Sequence, residues 1–185
     1  MKRLLLIAAI LLPLLFLAYW LSERLHIVHR PHVLYIGDSL CEATHDEFGH
    51  TLTRIASIAA DCKGGRKSIE YGDIPQGKTV IFYALGANDA GEVPVETYAK
   101  DLQQKLTETD AQWIVCVLPD PKKPVNSPYR QAMQDHCPNT IEPREHGYLF
   151  SAEDSVHGSV EDHQRFGRWL SDYVDQLLEE KPWEN

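Results

Sequence analysis

The sequence predicts an α/β fold for residues 32–185, with a mainly parallel sheet, and three observations predict it. Short, almost wholly apolar runs recur at His32–Ile36, Thr79–Leu85 and Trp113–Leu118, as expected of parallel strands buried on both faces. Segments with apolar residues at helical spacing stand between and after them, the alternation that packs helices onto a parallel sheet. Two of the runs stop at a glycine followed by small polar residues, Gly37-Asp38-Ser39-Leu40 and Gly86-Ala87-Asn88-Asp89. Open α/β sheets carry their chemistry at such strand ends.

Residues 1–21 precede this pattern and differ from it. Met1-Lys2-Arg3 leads into an uncharged apolar stretch from Leu4 to Leu21, at the lower end of the roughly 17–25 residues that span a bilayer. Tyr19 and Trp20 suit the headgroup interface. The alternative is a secretory signal peptide, whose apolar core is usually ~7–15 residues and ends in an Ala-x-Ala-like site. Here Ala18 is followed by two bulky aromatics, which favours an uncleaved anchor. Lys2 and Arg3 favour a cytoplasmic amino terminus, although Arg24 and Arg30 dilute the bias. Residues 22–31 read as a linker. His26, His29 and His32 stand at three-residue spacing there, but Pro31 interrupts any helix that would align them, so no metal site is assigned.

Within residues 32–185 the elements follow in order. His32–Ile36 is the first strand. Glu47–Ala60 places Phe48, Leu52, Ile55, Ala56 and Ala59 at helical spacing, and a short strand at Ile58–Cys62 competes for its end. Thr79–Leu85 is a strand, Val95–Glu108 a helix with Tyr98, Leu102 and Leu106 inward, and Trp113–Leu118 a strand stopped by Pro119. Pro119–Pro128 reads as a loop placed for substrate contacts. Glu161–Glu180 is a terminal helix with Phe166, Leu170, Tyr173, Val174 and Leu177 inward.

Charge narrows the partners. The chain carries −9 in total, and residues 1–31 carry Lys2, Arg3, Arg24 and Arg30 against Glu23, so about −12 falls on residues 32–185. An acidic domain without a basic patch excludes nucleic acid and docking on anionic lipid. Cys41, Cys62, Cys116 and Cys137 form an even set compatible with disulfides in an exported chain, or with four small buried hydrophobes. The Cys41 thiol would stand close to Ser39.

Acyl transfer from an ester needs a nucleophile, a base with an orienting carboxylate, and donors for the developing oxyanion. Ser39 supplies the nucleophile. In Asp154-Ser155-Val156-His157, His157 offers the base and Asp154 the carboxylate, at a spacing that converges in one turn. Asn88 offers a side-chain N–H, because the strand ending at Gly86 should lie beside the one ending at Gly37. The Ser39 N–H and a glycine of Gly64-Gly65 complete the donors. Each motif alone has a plain structural reading as a turn or a helix cap. Their joint order does not.

These motifs resemble those of the SGNH, or GDSL-type, hydrolases, over about His32–Tyr173. Gly37-Asp38-Ser39-Leu40 matches the first block and implies Ser39 as nucleophile. Gly64-Gly65-Arg66-Lys67-Ser68 falls at the second and implies Gly65 as oxyanion donor, with Gly64 the alternative. Gly86-Ala87-Asn88-Asp89 matches the third and implies Asn88 as a further donor, and Asp154-x-x-His157 matches the fifth. The resemblance implies a flavodoxin-like α/β/α sandwich and a triad that needs no metal or cofactor. Cys41 and Gly158 depart from the family pattern.

The implied reaction is hydrolysis of an ester through an acyl-Ser39 intermediate. With the domain held outside the membrane, in a bacterial periplasm or, after signal cleavage, as a secreted protein, the expected substrate is a small acyl group such as acetyl on an envelope glycan. Lysophospholipase, thioesterase and O-acyltransferase activities use the same site. A tethered, non-catalytic binding module is the contrasting reading, and it would not require Ser39, Asn88, Asp154 and His157 together.

Overall fold

In the computed structural model of the chain, five parallel strands form one sheet: β1 (His32–Gly37), β2 (Ser57–Cys62), β3 (Val80–Ala84), β4 (Trp113–Val117) and β5 (Asn139–Ile141). Their order is β2-β1-β3-β4-β5, the flavodoxin-like order whose direction reverses between β1 and β3. Four helices accompany them: α1 (Ser39–Leu52), α2 (Val95–Glu108), α3 (Ser127–His136) and α4 (Val160–Glu180). The structure describes residues 11–20, 30–52, 56–150 and 158–180.

The pleat of β1 sorts the core into two layers. Val33 and Tyr35 pack with Phe48 and Leu52 of α1 and with Phe166 and Leu170 of α4. Leu34 and Ile36 face the other way, onto Tyr98 and Leu102 of α2 and Tyr129 and Met133 of α3. Period-2 alternation within continuously apolar strands therefore builds a three-layer sandwich from one sheet. On the α1/α4 side Phe82 of β3 meets Tyr35 and Phe48 edge-on, with ring centroids 6.0 and 5.6 Å away.

Local signals explain most helix ends. Asp38 caps α1, its Oδ1 accepting the Leu40 N–H at 3.1 Å and so satisfying one of the free amides of the first turn. Ser159 and Asp162 form a reciprocal cap on α4: the Asp162 N–H donates to Ser159 Oγ at 3.1 Å and the Ser159 N–H to Asp162 Oδ2 at 3.0 Å. Pro128 stands in the first turn of α3, where its missing N–H costs nothing.

Several expectations are corrected. The helix expected over Glu47–Ala60 starts earlier, at Ser39, and ends at Leu52, and Ser57–Cys62 is strand β2. The expected loop Pro119–Pro128 runs into a short 3-10 turn, Pro124–Asn126, and the start of α3, which like β5 had no counterpart in the sequence reading. Tyr173 does face inward as expected, half-buried against the layer that holds the buried Phe166, Leu170, Val174 and Leu177. All four cysteines are oxidised, as Cys41–Cys62 and Cys116–Cys137, so Cys41 offers no free thiol.

The chain divides into two compact units, one through Arg30 and the other Pro31–Glu184. In the first, residues 11–20 are helical and exposed. The remainder of the expected anchor lies outside the described residues, among which no helix is long and apolar enough to cross a membrane. Of the three histidines near the linker, His26 and His29 lie outside the described residues and His32 opens β1.

Phe82→Ala removes the ring at the centre of the α1/α4 layer. It is expected to lower the unfolding free energy by about 3–5 kcal/mol, measured by urea denaturation with both disulfides oxidised.

Candidate active site

Strand β1 ends at Gly37, and the chain has almost no room there. A Cβ at this position would lie 2.4 Å from Cys41 Cβ and 3.1 Å from Ala84 Cβ. Only glycine lets α1 start against the end of β3, and this turn makes Ser39 the first residue of the helix. Its N–H has no intrahelical acceptor, and the helix dipole favours negative charge beside it. Ser39 is half-buried.

Asn88 reaches the same place from β3. Gly37 pairs with Ala84 across the β1/β3 ladder, so the loop after β3 rises beside α1. Asn88 Nδ2 donates to Asp38 Oδ2 at 2.9 Å. Buried Asp38 is therefore spent twice, capping α1 with one oxygen and orienting Asn88 with the other. The second N–H of that amide remains for another acceptor.

The Gly64-Gly65 turn arrives from β2 on the other side. Cys62, the last residue of β2, is bonded to Cys41 in the first turn of α1. The Lys63 N–H donates to the Gly37 carbonyl at 3.1 Å and the Gly64 N–H to Glu42 Oε2 at 2.9 Å. The turn closes through the Arg66 N–H to the Lys63 carbonyl at 3.1 Å, and Gly65 has φ of 74°, a conformation that favours glycine. Of the two glycines, Gly64 has its N–H engaged and Gly65 does not, among the described residues.

Asp89 braces this turn from beneath. Its carboxylate accepts the Ser68 N–H at 3.0 and 2.9 Å and the Ser68 hydroxyl at 2.8 Å. Lys105 of α2 donates to the Ser68 carbonyl at 2.8 Å while paired with Asp101. Burial raises the Asp89 carboxyl above the usual carboxylate range, and the Ser68 hydrogen bonds oppose that rise.

A small recess adjoins these groups. It starts at Asp38, Leu40 and Ala87, which flank Ser39 and Asn88, and runs along the ends of β3 and β4. Asp154 and His157 lie outside the described residues. No group of residues suited to a metal ion occurs among the described residues.

Sequence motifs single out Ser39, Gly65 and Asn88 but not the residues that hold them. Asp38 as cap was legible from its place before a helix; Glu42, Asp89 and the cysteine pairing required the third dimension.

No protein-family model and no curated protein matches this sequence. Among solved structures, the chain is similar to the C-terminal catalytic domain of Streptococcus pneumoniae peptidoglycan O-acetyltransferase A, determined with a methylsulfonyl adduct. That match has a TM-score of 0.55 and 14% identity over 81% of this chain and 96% of that one. It is also similar to a Streptococcus pneumoniae protein assigned provisionally as a platelet activating factor, with a TM-score of 0.52 and 18% identity over 88% of this chain and 98% of that one. The chain thus shares its α/β/α fold with both.

Asp89→Asn tests the brace. A carboxyl whose folded pKa is raised contributes stability that is complete below its unfolded value and is lost as pH rises through the folded value. The stability of the unmodified protein relative to Asp89→Asn is therefore expected to fall as pH rises through the raised Asp89 pKa and then level off. Paired urea titrations measure it; a difference independent of pH would contradict the assignment.

Proposed function

We propose that the protein is an SGNH-type serine esterase that removes a small acyl group, such as acetyl, from a glycan of the cell envelope. The observation that carries the reading is Ser39 at the first position of α1, joined to Asn88 through Asp38 beside an apolar recess. Support comes from the shared fold with a domain described as a peptidoglycan O-acetyltransferase.

In this reading Ser39 Oγ adds to the ester carbonyl carbon and its proton passes to His157, whose imidazole Asp154 orients. The carbonyl oxygen becomes an oxyanion, held by the Ser39 and Gly65 N–H groups and by the free N–H of Asn88. Collapse breaks the ester bond, and His157 returns the proton to the departing alcohol. Water, deprotonated by His157, then adds to the acyl-serine carbonyl; the acyl–Oγ bond breaks, His157 returns the proton to Ser39 Oγ, and the acid leaves. No metal or cofactor is needed. If a sugar hydroxyl takes the place of that water, the same steps transfer the acyl group, a second reading that the O-acetyltransferase neighbour favours.

The location proposed is extracytoplasmic, with the stretch Leu4–Leu21 as anchor. Two disulfides within 185 residues support an oxidising compartment.

Fluorophosphonate labelling and hydrolysis of p-nitrophenyl acetate test the nucleophile. Both are expected for the protein and neither for Ser39→Ala; retained labelling would assign another nucleophile. Asn88→Ala is expected to lower kcat by about 10²–10³, the usual effect of one oxyanion donor, while labelling persists at a reduced rate. The double substitution Cys41→Ala with Cys62→Ala frees the Gly64-Gly65 turn from α1. It is expected to reduce kcat more than it raises KM, with the far-UV circular dichroism unchanged.

A further inference from the structure

The recess beside Ser39 is lined mainly by apolar residues, among them Leu40, Leu85, Val117, Leu118 and Phe150; Asp120 and Asn126, beyond β4 and so farther from Ser39, are taken as its floor. Both floor residues are buried, 2% and 1% exposed. Asp120 Oδ1 accepts the Lys122 N–H at 3.0 Å and two Arg144 donors at 3.2 and 2.7 Å. Asn126 Nδ2 donates to the Asp120 carbonyl at 2.9 Å. Asp120 Oδ2 and Asn126 Oδ1 have no hydrogen-bond partner.

We propose that the recess receives the acyl group and that the Asp120–Asn126 floor limits it to short chains, acetyl to butyryl. The inference rests on Ser39 as nucleophile, and it assigns to this pair the choice of acyl length. The acyl carbon stays bonded to Ser39 through both half-reactions while the alcohol must depart. An apolar recess suits the group that stays, and open solvent the group that leaves. A longer alkyl chain meets the buried pair of Asp120 and Asn126, which Arg144 braces. It gains no hydrogen bond there, and it can advance only by displacing a braced pair that the packed wall holds in place.

The test compares p-nitrophenyl acetate, butyrate, octanoate and laurate on the full chain, together with alkyl fluorophosphonates of short and long chain. From butyrate to octanoate kcat/KM is expected to fall at least ~10-fold, and the long fluorophosphonate to label Ser39 correspondingly more slowly. Asn126→Ala, or Asn126→Ser where the alanine variant does not fold, shortens the floor and is expected to raise the octanoate-to-acetate ratio of kcat/KM at least ~10-fold. A flat or rising profile in the unmodified protein overturns the acyl-length limit, with the nucleophile reading intact. A falling profile that neither Asn126 variant shifts overturns the floor assignment. Absence of reaction with every ester and every fluorophosphonate overturns the nucleophile reading, and this proposal with it.

Discussion

The close approach of α1 to the sheet at Gly37 is the constraint on which the site depends. With a Cβ excluded by Cys41 and Ala84, β1 passes into helix after a single residue, Asp38. That residue is buried, and burying a carboxylate without partners would be costly. It takes the Leu40 amide and the Asn88 side chain instead. The packing demand at Gly37, the cap of α1 and the orientation of Asn88 are therefore one arrangement, and loosening any of them loosens the others.

The groups around Ser39 come from three strands, and a different bond holds each. Asn88, from β3, is held by a charge-assisted hydrogen bond, which is directional and strong. The Gly64-Gly65 turn, from β2, is held by a covalent link and by Glu42. The loop after β4 is held by the Asp120–Arg144 pair. In the proposed reaction, a rigid frame of this kind would lower the reorganisation needed as charge develops on the bound oxygen.

Legibility in the sequence followed the range of the forces involved. Strands β1, β3 and β4 could be read because burial on both faces leaves continuous apolar runs, and α2 because Tyr98, Leu102 and Leu106 mark one face. The start of α1 was hidden because Ser39 and Glu42 are polar, although their neighbours pack. Ala59 and Ala60 of β2 are exposed and extend a helical pattern as readily as a strand. Helix α3 buries only Tyr129, Ala132 and Met133, too few to announce it. Ser39, Asn88 and Gly65 stood out because they sit at strand ends, where motifs are local. The contacts that position them join residues 50 apart for Asp38 with Asn88 and 24 apart for Asp120 with Arg144, and no local pattern encodes such pairings.

The two disulfides have a consequence for the edges of the sheet. An open sheet ends in two edge strands, here β2 and β5, and each exposes unpaired amides and carbonyls that invite strand addition from another chain. Cys62 closes β2, and Cys137 stands two residues before β5. Each edge is thus stapled to an inner element, β2 to α1 through Cys41 and the approach to β5 to β4 through Cys116. With both cystines oxidised, each edge of the sheet is tied at one end to an inner element, so it separates from its neighbour less readily.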